Sequence, residues 1–204
     1  MASSKQHLSN QPLLRSHILD AARAIVVREG FDALSMRKLA EVVGYSPASL
    51  YLHFAGRDAI GHAICIEGHA QLLAALHAHD DVTKPGEHVK AMAHAYVAFG
   101  RANPEVYRLI FLQSAAYTDA AFSDPASDGE TALSLFTQAL ALSGSAAAAA
   151  ETLWAALHGI VSLSLSAAAY LPTPIDALID ATLDFCLSSV KKKPARRRPF
   201  ARTP

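Results

Sequence analysis

Apolar residues recur at steps of three and four from Leu14 onward, at Ile18, Ala21, Ala22, Ile25 and Val26, which predicts a helix with one buried face that stops at Gly30. Ser35 is a good N-cap for a second helix, in which Met36, Leu39, Ala40 and Val43 form the inner stripe before Gly44 ends it after about two turns. Ser46 followed by Pro47 reads as another N-cap with proline at the first helical position, and Leu50 and Phe54 turn inward one helical turn apart. Two short helices joined by Gly44-Tyr45-Ser46 have the dimensions of a helix-turn-helix, whose second helix enters the major groove of DNA.

The pattern predicts further helices downstream: about Arg57 to His79, Glu87 to Arg101, one opened by Asn103-Pro104 that holds Val106, Tyr107, Ile110 and Phe111, then about Gly129 to Leu142, Ser145 to Tyr170 and Pro174 to Val190. Residues 115 to 128 read as a loop. The expectation is an all-α chain of about nine helices: a flexible N-terminus over 1–11, a three-helix helix-turn-helix domain over 12–72, a larger helical domain over 73–190, and a disordered basic tail over 191–204.

Composition agrees with helix: of 204 residues, 41 are alanine and only 10 each are glycine and proline. A hydrophobic share of 51% is ample for a core and excludes a wholly disordered chain. The net charge of zero hides a segregation, since residues 1–58 carry 7 basic and 5 acidic side chains, 59–190 carry 4 and 13, and 191–204 carry 7 and none. A polyanionic partner would therefore meet the ends. The polar start MASSKQHLSNQP lacks the apolar core of a secretory signal, and the two cysteines, Cys65 and Cys186, form no disulfide framework, so a cytoplasmic location is expected. Thr152 to Ile175 is uncharged and long enough to span a bilayer, but serines, His158 and two prolines interrupt or end it, and a buried helix is the expected reading.

The segment GFDALSMRKLAEVVGYSPASLYLHFAGRDAI, Gly30 to Ile60, resembles the DNA-binding region of the TetR family of transcriptional regulators, most closely at Leu50-Tyr51-Leu52-His53-Phe54 and the following Ala55-Gly56-Arg57-Asp58. Gly56 departs from the serine or asparagine that often caps the fourth helix there. The stretch YVAFGRANPEVYRLIF, with Trp154, His158 and Gly159, is similar to a C-terminal domain type of this family that carries a Trp-His-Gly signature.

DNA binding needs groups aimed at phosphate and groups aimed at base edges. Ser35, Lys38, Tyr51, His53 and Arg57 form the phosphate set, with the helix-start amides at Ser35 and Ser46. Base readout falls to Arg37, Pro47, Ala48, Ser49 and Leu52, with Arg37 suited to guanine and the apolar groups to thymine methyls. Tyr45 reaches phosphate or a methyl; alternatively, Tyr45 and Tyr51 only pack the small domain. The basic tail either adds nonspecific phosphate contacts or only solubilises the chain.

Tyr96, Phe99, Tyr107, Phe111, Tyr117, Trp154 and His158 are candidates for the wall of a small-molecule cavity, which is mostly apolar with a few polar groups; an ordinary core would use the same residues. His158, mid-helix among apolar neighbours, needs a polar partner, and a ligand is one. Ala155, Gly159, Ser162, Ser166 and Ala169 line a small-residue face; the family resemblance places the last two long helices in a homodimer interface, and packing within one chain is the alternative. His62 and His69 lie about 10 Å apart along a helix, too far for one ion, and His77, His79, Asp80 and Asp81 make only a loose exposed group, so neither metal nor cofactor is expected. No GxSxG, Walker A, GxGxxG or HExxH spacing points to an enzyme. The resemblance implies a repressor of double-stranded operator DNA, released by a small effector; the rival is a DNA-organising or interaction protein without an inducer.

Overall fold

The computed structural model describes residues 3–141 and 147–191, and side chains over 13–141 and 147–188. The basic tail beyond Lys191, the first two residues and the helix ends expected at Leu142 and Ser145 lie outside the described residues. Among those described there are ten α-helices and no strand.

The N-terminal part comprises α1 (Ser3–Glu29), α2 (Met36–Val43), α3 (Pro47–Tyr51) and α4 (Arg57–His77). The segment 3–11, expected as a flexible N-terminus, is the first part of helix α1. Ile18, Ala22, Ile25 and Val26 of α1 pack with Leu39 and Val43 of α2, Leu50 and Phe54 around α3, and Ile60 and Ile64 of α4.

The C-terminal part comprises α5 (Pro85–Ala102), α6 (Pro104–Arg108), α7 (Ala115–Phe122), α8 (Ala132–Ala141), α9 (Ala147–Ser166) and α10 (Ile175–Lys191), with a π-turn over Leu109–Gln113. Its core unites Tyr96 and Val97 of α5, Phe136 of α8, Leu153, Leu157 and Val161 of α9 and Ile179 of α10. Helix α4 runs unbroken across the boundary drawn at 72, its first half in one core and Leu72, Leu73 and Leu76 in the other.

The loop expected over 115–128 is corrected: it contains α7. The density of Ser, Thr and Asp resembles a loop, yet Tyr117 and Ala121, one turn apart, are buried against α4. Glycine on α4 permits this approach, since a Cβ on Gly61 would lie 2.7 Å from the Tyr117 ring; Gly68 does the same for α6, where a Cβ would lie 2.4 Å from Val106 Cγ1. Helix α8 starts later than expected because Gly129 adopts φ +74°, after which Thr131 and Ser134 cap the helix reciprocally, each backbone N–H donating to the other's hydroxyl. Helix α9 ends at Ser166 and Ala168–Tyr170 forms a separate 3-10 turn.

Candidate functional site

The turn between α2 and α3 follows from local chemistry. Ser35 Oγ accepts from the Lys38 amide at 3.2 Å, Gly44 takes the left-handed conformation at φ +75°, and Ser46 Oγ accepts from the Ser49 amide at 3.2 Å. With Leu50 fully buried, Leu52 is forced outward and is 84% exposed. Ser35, Arg37, Tyr45, Ser46, Pro47, Ala48 and Tyr51 are exposed; Lys38, Ser49, His53 and Arg57 are half-buried. Tyr45 and Tyr51 are 47% and 54% exposed, so about half of each side chain is open to solvent. Val42, 55% exposed at the end of α2, is a further apolar group on the surface of this unit. Its signal in the sequence was its position off the Met36, Leu39, Ala40, Val43 stripe.

The cations here are held by weak tethers. Arg37 Nε is 3.3 Å from Glu41, an exposed pair one turn apart that contributes little to stability. Lys38 bonds Glu29 and, with Arg28, holds the Glu29 carboxyl below its usual range. Arg57 is engaged more firmly, with its guanidinium 4.2 Å above the Phe31 ring and 3.1 Å from Asp32. Arg15 of α1 stacks likewise over Phe54, at 4.6 Å.

Of the seven cavity candidates, six share one neighbourhood. Tyr96, Phe99 and Tyr107 are buried, and Phe111, Trp154 and His158 are half-buried. Phe111, in the π-turn, lies 4.7 Å from the Tyr107 ring, 5.7 Å from His158 and 6.5 Å from Trp154. His158 has a partner inside the protein: the Tyr107 hydroxyl is 2.6 Å from its Nδ1. Burial raises the Tyr96 phenol to about 12, raises that of Tyr107 and lowers the His158 pKa, so all three are neutral near pH 7. Tyr117 is a correction. It sits on α7, in the other core, with its ring 5.4 Å from Phe31 and its hydroxyl donating to Asp58.

On α9, Ala155, Ser166 and the Ala169 that follows it are exposed, while Gly159 and Ser162 are half-buried. Leu163 is 47% exposed and Phe185 on α10 is 74% exposed. By length and composition α4 and α9 are each apolar enough to cross a membrane; α4 is largely buried in this fold, whereas only 28% of the α9 window is. His62 packs on Tyr117 and His69 on Phe122, while His77 Nδ1 and Nε2 each lie 2.7 Å from a carboxylate, of Asp80 and Glu130. Among the described residues no group of three or more His, Cys, Asp and Glu is arranged to hold a metal ion.

Two family models match the chain: bacterial regulatory proteins of the tetR family over residues 18–64, and the tetracyclin repressor-like C-terminal domain over residues 89–186. An uncharacterized HTH-type transcriptional regulator of Bacillus subtilis, YobS, is 33% identical over 103 residues, which are 50% of this chain and 53% of YobS. The match thus spans about half the length of that curated relative. A solved structure of a protein with unknown function from Rhodococcus sp. RHA1 has a TM-score of 0.69 at 25% identity, covering 86% of this chain and 94% of that one. A TetR-like transcriptional regulator from the same organism has a TM-score of 0.62 at 18% identity, covering 88% of this chain and 97% of that one.

Proposed function

The chain belongs to the TetR family of DNA-binding transcriptional regulators, and from that premise we propose that it is a cytoplasmic homodimeric repressor, released from a palindromic operator by a small, largely apolar ligand. The family and its relatives are regulators, not enzymes. The observation that carries the DNA contact is the polarity of the recognition unit: Leu50 and Phe54 are buried while the Arg37 side chain and Leu52 are 88% and 84% exposed. Arg37 reads a base edge, Pro47, Ala48, Ser49 and Leu52 touch the groove floor, and Ser35, Lys38, Tyr45, Ser46, Tyr51, His53 and Arg57 engage the backbone.

Two such units engage a palindrome when their recognition helices stand about 34 Å apart, one turn of DNA. The apolar, little-buried face of α9, with Ala155, Gly159, Ser162 and Ser166, supports dimerisation through α9 and α10. Phe111, Trp154 and His158, the half-buried members of the aromatic cluster, receive the ligand, with Tyr96, Phe99 and Tyr107 behind them. A ligand that prefers the wrong spacing lowers operator affinity by its differential binding to the two states. The test is selection of bound DNA from a random pool, followed by competition with candidate compounds. Enrichment of a palindrome that apolar compounds release supports the reading; absence of an enriched sequence, or of any releasing compound, refutes the corresponding half.

A further inference from the structure

Four polar side chains in the C-terminal core form one chain of contacts whose direction follows from their chemistry. The Tyr96 and Tyr107 hydroxyls are 3.0 Å apart, and the Tyr107 hydroxyl is 2.6 Å from His158 Nδ1. One turn along α9, Ser162 Oγ lies 3.5 Å from His158 Nε2. The nearby Trp154 indole N–H is buried and has no hydrogen-bond partner among the described residues.

Each phenol has one hydrogen to donate, and an indole donates but accepts nothing. Were the imidazole proton on Nδ1, Tyr107 would donate to Tyr96, and the Tyr96 hydroxyl hydrogen would be left in a buried place without an acceptor among the described residues, which is costly. The opposite order has no such conflict: Tyr96 donates to Tyr107, and Tyr107 donates to Nδ1. The imidazole is neutral because it is buried, so its one proton stands on Nε2. At 3.5 Å the Ser162 hydroxyl is a poor acceptor for it. That nitrogen ends the relay where Phe111, Trp154 and Ser162 are each only half-buried.

We propose that His158 Nε2–H, fixed as a donor by the Tyr96–Tyr107 relay, is a directional subsite for a hydrogen-bond acceptor, a carbonyl or ether oxygen, on a neutral flat apolar effector lying against Phe111 and Trp154. The inference rests on the effector-site reading above and adds the polarity of the ligand to it. Donor-only groups such as ammonium find no acceptor at this nitrogen.

Trp154 is the single tryptophan, so its indole N–H gives one resonance that reports on the subsite. The probes are acetophenone and α-methylstyrene, close in shape and differing in the carbonyl acceptor, titrated into the full chain. Acetophenone is expected to move the Trp154 resonance at about fivefold lower concentration, as one hydrogen bond allows, and His158→Phe is expected to abolish that preference. Nitrogen-15 spectra, with the His158 signals assigned by their loss in His158→Phe, are expected to show Nδ1 bare and Nε2 protonated. Equal midpoints for the two probes, or a proton on Nδ1, overturn the directional subsite and leave the effector site standing. A resonance that neither probe moves up to its solubility overturns the effector-site reading itself.

Discussion

The hydroxyl of Tyr117 on α7 donates a hydrogen bond of 2.9 Å to Asp58, in the first turn of α4. That turn begins with Arg57, whose guanidinium covers Phe31, and the Tyr117 ring packs edge-on against the same Phe31. A residue of the C-terminal part thus holds the end of the helix that abuts the recognition unit. Burial, aided by the Asp58 carboxylate, raises the Tyr117 phenol to about 12, so the hydroxyl stays a donor throughout the physiological range. Tyr117→Phe keeps the ring contacts and removes the bond, which should cost about 1 kcal/mol, because Asp58 is exposed and water replaces the lost donor. Urea denaturation at pH 7 measures it. A loss of several kcal/mol would mean that the ring, and not the bond, had been displaced.

The N-terminal unit was legible in the sequence because each of its elements carries a local signal: Ser35 and Ser46 as caps, Gly44 as a left-handed stop, and an apolar stripe between them that the structure buries. Residue exposure there followed by elimination, as Leu50 inward leaves Leu52 outward. Helix α7 was not legible. Eight residues, six of them apolar and on nearly every side, are too short a run to single out one face, and the element packs against a partner about sixty residues away, the glycine-lined side of α4. The misplacement of Tyr117 among the cavity residues has the same cause. The partner of His158 was also invisible, since Tyr107 reaches it through a helix packing that no spacing along the chain reveals.

Arg37 and Arg57 should differ in kind. Arg37 is tied only to exposed Glu41, so Arg37→Ala is expected to leave stability unchanged, cost about 1 to 3 kcal/mol of operator affinity and relax preference at one position per half-site. Arg57→Ala should weaken all sequences alike and lower the salt slope, and it should also destabilise the fold, because it uncovers Phe31 and frees Asp32. Binding to operator and scrambled DNA across a salt series separates the two; identical sequence preference and salt slope in both variants and the wild type would disprove the division.

Acid should destabilise the protein through its buried histidines. Burial is the largest influence on His69 and lowers its pKa despite a backbone hydrogen bond to Ala121, and burial lowers His158 as well. A histidine whose pKa is lower in the folded state leaves stability intact above its unfolded value of about 6.5 and removes it as pH falls through the folded value. Exposed His77, raised chiefly by Glu130 and then Asp80, acts oppositely: its small contribution is present below about 6.5 and fades as pH rises past its raised value. The midpoint of thermal unfolding should therefore decline as pH drops below about 6.5. His69→Phe should flatten that decline; an unchanged slope would mean that His69 escapes protonation by local opening.

Two glycine substitutions distinguish packing within the chain from packing between chains. At Gly68 a Cβ would lie 2.4 Å from Val106 Cγ1, so Gly68→Ala must push α4 from α6 and should cost about 1 to 3 kcal/mol in unfolding. At Gly159 a Cβ meets nothing within 4 Å among the described residues, and alanine in mid-helix should favour α9 by about 0.5 to 1 kcal/mol. A second copy seated on that face would resent the added methyl. If Gly159 lies in the dimer interface, sedimentation of Gly159→Ala should show a dimer dissociation constant raised about tenfold, equivalent to about 1.4 kcal/mol, with the helical spectrum unchanged. A variant that dimerises as tightly as the wild type would remove Gly159 from the interface and leave Leu163 and Phe185 as the exposed groups to test next.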